Sequence, residues 1–153
     1  MNYSREQLLL ALKQKLDTEI PLYSGAVCVS LPDGDVWLEF PENSALISIH
    51  CIIETYSKGA ELTPTKMKQL LSLNSDSATL RGGWLGIHEV THTIRYFWTI
   101  PLSLSSPDLI WNAINNIATT KALVIKKLAE QPAENVRDAM PPMGYALRAG
   151  LYQ

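Results

Sequence analysis

Residues 80–102 read LRGGWLGIHEVTHTIRYFWTIPL, and the fold turns on how that stretch is parsed. It reads as a short glycine-rich strand, a polar turn and a second strand from about Thr93 to Ile100, halted at Pro101. Gly82, Gly83 and Gly86 weaken an ordinary strand interior, because glycine has no side chain to pack and loses the most backbone entropy on ordering. Their concentration around Trp84 and Leu85 therefore predicts a sheet whose backbone something else approaches closely, such as a partner subunit or a bound segment. That points to binding before chemistry.

Working outward, the stretch lies between two helical patterns. On its amino-terminal side, Thr63 as N-cap and Pro64 in the first turn open a helix to about Leu73, with Met67, Leu70 and Leu71 as its apolar stripe. On the other side, Ser106 and Pro107 repeat that logic, and a long helix runs to about Glu130 with Ile110, Ile114, Ile117, Val124 and Leu128 on one side. Further upstream, Ala26–Leu31 and Val36–Phe40 flank the turn Pro32-Asp33-Gly34-Asp35 as a hairpin. Alternation sets Val36, Leu38 and Phe40 on one face and Trp37 with Glu39 on the other. A third strand, Ala45 to about Thr55, places Ala45, Ile47, Ile49, Cys51 and Ile53 against the core. Its reverse side carries Leu46, Ser48, His50, Ile52 and Glu54. A sheet with one apolar and one partly apolar face leaves room for a ligand.

The chain begins with a capping box, Ser4 and Gln7, and a helix from about Arg5 to Leu16. Leu8, Leu9, Leu12 and Leu16 recur at helical spacing, and Leu10 widens the apolar surface. The predicted order is thus α-β-β-β-α-β-β-α. This is an α+β fold, three helices with an antiparallel β-sheet, in a single domain over residues 1–130. Prolines and glycines punctuate residues 131–153, which read as a mobile or loosely docked tail.

The whole chain has 153 residues, a formal charge of -2 and a pI near 5.9. A chain of that length can bury a core without disulfides or metal. The charge gives no basic footprint for nucleic acid. No apolar run approaches the roughly 20 residues that span a bilayer, and MNYSREQ lacks a basic signal-peptide start, so a cytosolic chain is expected. Cys28 and Cys51 read as two reduced core thiols.

Enzymatic templates find little support. There is no G-x-S-x-G elbow, no G-x-x-x-x-G-K-[ST] loop and no H-E-x-x-H helix. Gly82–Gly86 does not open a helix after a strand, as a dinucleotide site requires. His88 and His92 flank Glu89 at a turn without a third ligand. His50 and Cys51 are neighbours on a strand and point to opposite faces. Trp37 and Phe97 stand opposite their strands' apolar sets, either as solitary exposed aromatics or as a patch for a partner.

In the order of these elements the chain resembles the class I chaperones of bacterial type III secretion, the Tir chaperone or CesT-type family. The resemblance spans roughly Leu8 to Leu128. It rests on the leucine-rich first helix, on Trp84-Leu85-Gly86-Ile87 leading into Arg95-Tyr96-Phe97-Trp98-Thr99-Ile100-Pro101-Leu102, and on the helix that follows the proline. His88 and the long tail depart from the family pattern. The resemblance implies a cytoplasmic homodimer with no enzymatic activity, cofactor or metal. It further implies binding of the amino-terminal segments of secreted effectors in extended form, and delivery to the secretion ATPase. It places Met67, Leu70, Leu71, Trp84, Leu85 and Ile87 in the dimer interface, with the glycines admitting the second copy. Leu8, Leu12, Trp37, Leu46, His50 and Ile52 are expected in effector grooves. A dimeric adaptor that sequesters a transcription factor or another chaperone, and a small hydrolase using Cys28 or His50, are the competing readings.

Overall fold

The structure, a computed structural model, describes residues 3–16 and 26–130. The expected tail, 131–153, lies outside the described residues. The elements are α1 (Arg5–Leu16), β1 (Ala26–Leu31), β2 (Gly34–Glu39), β3 (Leu46–Thr55), α2 (Pro64–Asn74), α3 (Ser77–Leu80), β4 (Trp84–His88), β5 (Thr93–Pro101) and α4 (Pro107–Ala129). Among α-helices and strands the order is the expected one with one addition, the single turn α3. Its cap is Asp76, whose carboxylate accepts the Thr79 amide at 3.0 Å. That Asp-x-x-Thr signal is present in the sequence, but four residues carry no periodicity to flag a helix.

Each longer helix starts where its capping chemistry predicts. Ser4 donates its amide to the Gln7 side chain at 2.8 Å, and the Gln7 amide returns to the Ser4 hydroxyl at 3.3 Å. Thr63 and Ser106 accept the amides of Lys66 and Leu109, both at 3.2 Å, ahead of Pro64 and Pro107. These side chains satisfy amides that the first helical turn leaves without partners.

The strands form one antiparallel sheet in the order β1-β2-β3-β5-β4. The register pairs Val29 with Val36, Val36 with Cys51, and Cys51 with Tyr96, so these side chains share a face. Leu8 and Leu12 of α1 join that face in one core, with Ile110, Ile114, Ile117 and Val124 of α4. A bulge between Ile52 and Glu54 shifts the β3 register. It turns Glu54 toward the helical side, where the Lys66 ammonium of α2 bonds it.

One expectation is corrected here. Cys51 is a buried core thiol as read, and burial pushes its pKa up to about 11, whereas Cys28 is exposed. The strand's alternation gives the core to Val27 and Val29 and turns Cys28 outward. The glycines lie against rings of this same chain. A Cβ on Gly83 would stand under 3.0 Å from the Tyr96 ring, and one on Gly86 would press on the Phe97 ring at 3.0 Å. Both are residues of the neighbouring strand, whose rings lie over the glycine backbone.

Edge strand β4 is closed at its middle by a side chain. Asn74, the last residue of α2, accepts the Leu85 amide at 2.7 Å and donates to the Leu85 carbonyl at 3.2 Å. One amide thus stands in for a pairing strand and blocks that edge.

Candidate functional site

The side of the sheet away from α1 and α4 carries an aromatic row. The register sets Cys28 beside Trp37, Trp37 beside His50, His50 beside Phe97 and Phe97 beside Trp84, crossing all five strands. The rings touch in sequence. Trp37 stacks on His50 at 5.8 Å between centroids and 9° between planes, His50 meets Phe97 at 5.3 Å, and Phe97 stacks on Trp84 at 5.8 Å. Trp37, Phe97 and Trp84 are absent from the core cluster and from the side chains packed against it. Among the described residues this face is covered by no helix.

A polar network runs beneath the rings. His50 is only 1% exposed. Its Nδ1 lies 3.2 Å from an Arg95 guanidinium nitrogen, and its Nε2 lies 3.1 Å from the Glu39 carboxylate. Arginine can only donate, so Nδ1 accepts and the ring proton sits on Nε2, donated to Glu39. Arg95 also donates to the Thr93 hydroxyl at 2.9 Å and to the Thr91 hydroxyl at 3.1 Å, and its guanidinium carbon stands 5.3 Å from the Trp37 ring. His88 Nδ1 bonds the Thr91 hydroxyl at 2.7 Å. No buried side-chain polar atom among the described residues is without a partner. The network fixes the rings above it and leaves His50 no free nitrogen for base catalysis.

Burial holds the His50 pKa below the usual imidazole value of 6.5; the Glu39 hydrogen bond and charge oppose this, while Arg95 and His88 reinforce it. The sign for stability follows directly. Between the lowered folded-state pKa and 6.5, the unfolded chain binds a proton that the folded chain refuses, so stability falls as pH drops through that window. His50→Gln is expected to flatten this part of the pH dependence, read as the urea midpoint between pH 7 and 5. An unchanged slope would show that another group carries it.

The structure divides the expected site residues into buried and exposed sets. Of the groove candidates, Trp37, His50 and Ile52 share the aromatic face, Leu46 is 44% exposed at the start of β3, and Leu8 and Leu12 are wholly buried in the core. Of the interface candidates, Leu70 and Leu85 are core residues, whereas Met67, Leu71, Trp84 and Ile87 are exposed. Val90, on the turn after β4, is 85% exposed and joins that apolar set without having been singled out in the sequence. Arg95 and Glu39 were readable as residues of the reverse face. The Arg95 bond to His50 depends on register between strands 45 residues apart in sequence, which no local signal supplies.

Among the described residues no group of three His, Cys, Asp or Glu side chains could hold a metal ion, and no helix is long and apolar enough to cross a membrane.

Comparison with known proteins places this geometry. No curated protein sequence matches the chain. Among solved structures, it is similar to a chain of the HopA1-SchA chaperone-effector complex, with a TM-score of 0.62 at 12% identity, covering 79% of this chain and 92% of that one. The ExsC-ExsE complex gives a TM-score of 0.63 at 14% identity, covering 84% and 97%. The heterodimeric ExoU-SpcU complex from the type III secretion system of Pseudomonas aeruginosa gives 0.55 at 13%, covering 78% and 96%. At such identities these likenesses speak for the fold. Residues 7–120 match a family model, from the end of the Ser4–Gln7 cap to Thr120 of α4, and the chain belongs to the Tir chaperone protein (CesT) family.

Proposed function

We propose that this protein is a type III secretion chaperone that holds the amino-terminal segment of one or more effectors in extended form. The observation that carries the reading is the aromatic row Trp37–His50–Phe97–Trp84 on the sheet face away from α1 and α4. The partly exposed Trp37, Phe97 and Trp84 rings on a rigid polar base give apolar side chains of an extended segment fixed places to bind, at low entropy cost to the receptor. Family membership and the fold shared with a chaperone-effector complex support it. A disordered client spreads over a large surface and pays its ordering cost on binding. No covalent step, cofactor or metal enters this role, and the complex would be handed to the secretion ATPase in the cytoplasm.

The working unit in this reading is a homodimer. Met67, Leu71, Ile87 and Val90 leave apolar surface exposed along α2, β4 and the following turn, with Leu71 at 68%. Such a patch suits a two-fold contact in which each copy offers the same residues. Leu71→Asp is expected to yield a folded monomer by light scattering.

Pull-down from the native host is expected to recover a secreted protein bound through its amino-terminal segment. Trp37→Ala and Phe97→Ala are each expected to weaken that complex by more than about tenfold. A chain that captures no secreted protein, or ring variants that bind as tightly as the parent, would sink the proposal.

A further inference from the structure

On the opposite side of the sheet, between β5 and α4, lies a cavity of about 130 Å³ lined by Arg81, Tyr96, Trp98, Asn116, Ile117 and Thr120 among others. Its floor is apolar and its polar groups are unspent. Among the described residues, the Arg81 guanidinium, the Trp98 indole N–H, the Asn116 amide and the Thr120 hydroxyl make no hydrogen bond or ion pair. Tyr96 does not compete for a ligand, because its hydroxyl already donates to the Leu80 carbonyl at 2.6 Å. Thr120 is 2% exposed, yet no unpaired polar atom is sealed from solvent, so its hydroxyl opens on the cavity. The lining thus holds four residues with donor groups, one of them positively charged, and no carboxylate.

The backbone beside the cavity is open as well. The β4 ladder ends at the Trp84–Phe97 pair, so Trp98 to Pro101 are paired with β3 alone. Because Leu85 turns its main-chain groups outward to Asn74, alternation turns those of Thr99 to the side that β4 leaves uncovered. An extended segment pairing there would point alternate side chains into the cavity.

We infer that this cavity is a binding site for the carboxylate of an acidic side chain carried by a bound polypeptide, with Arg81 as its charge partner and Trp98, Asn116 and Thr120 as neutral donors. A guanidinium is the group suited to a carboxylate, and its hydrogen bonds to an ion are about twice as strong as neutral ones. The inference deepens the client-binding reading and rests on it only for the source of the segment.

The test uses the full chain and probes that need no client. A blocked five-residue peptide with a central glutamate between threonines and valines is titrated against its glutamine twin and against butyrate, following the Trp98 indole N–H signal by NMR. Saturable shifts with the glutamate peptide, at least about tenfold weaker with glutamine, are expected. That preference should vanish in Arg81→Gln and shrink in Thr120→Val, two changes that leave the core volume nearly untouched. Equal binding of the two peptides, or a preference that survives Arg81→Gln, would overturn the site. Butyrate binding as well as the glutamate peptide would overturn the polypeptide source. Failure of these probes leaves client capture through Trp37 and Phe97 standing. Conversely, loss of client capture leaves the peptide titration unaffected.

Discussion

Gly83→Val is expected to destabilise the folded chain by on the order of 3 kcal/mol or more, measured by urea unfolding. Position 83 is where the Tyr96 ring lies against the backbone, and any Cβ there would overlap ring carbons and the phenolic oxygen. The backbone cannot yield freely, because the Gly83 amide is bonded to the Leu80 carbonyl at 2.9 Å. The ring cannot yield freely either, because Tyr96 is buried at 2% exposure and its hydroxyl is held by the same Leu80 carbonyl. Moving it abandons a buried hydrogen bond and opens the core between β5 and α4. Burial also pushes the phenol up to about 12, so it remains a donor throughout the ordinary pH range. A double-mutant cycle isolates the cause: Gly83→Ala should cost far less beside Tyr96→Leu than alone. Equal costs in both backgrounds would contradict the assignment. So would a variant of native stability that loses only its dimer, the outcome expected if these glycines admit a second copy.

The same position shows what the sequence revealed and where it stopped. Glycine in a strand signals close approach, and that inference was sound. The approaching group is the Tyr96 ring, thirteen residues further along, brought over Gly83 by a β4–β5 register that cannot be read locally. Alternation was enough to place Trp37, His50, Ile52, Arg95 and Phe97 on one face, because period-2 patterning survives in any pairing. It was not enough to order them into a row, since that requires β5 to pair with β3 as well as with β4. The helix caps were legible because each is a short-range hydrogen bond encoded within three residues. Asn74 was not, for the opposite reason: its bonds to Leu85 cross from a helix end to a strand edge eleven residues away.

Burial is a tertiary property, and α1 makes the point most sharply. Its leucines fill more than one face, so periodicity alone does not say which of them a partner can reach. The structure separates them: Leu8 and Leu12 are 0% and 1% exposed, while Leu10 is 61% exposed. Leu12→Ala is therefore expected to lower stability by about 2–5 kcal/mol, the range for leucine truncation in a packed core. Leu10→Ala should change it by less than about 0.5 kcal/mol. A helix of twelve residues is marginal alone and is held by the face it buries. Loss of Leu12 should thus undock α1 from α4, despite the Lys15–Asp108 ion pair at the far end of the contact, because an exposed pair contributes little. The decisive comparison is stability against client affinity. A core role predicts that Leu12→Ala moves the unfolding midpoint, and that affinity measured on the folded fraction stays near that of the parent. A groove role predicts an unchanged midpoint and a weakened complex, and that result would return Leu12 to the binding surface.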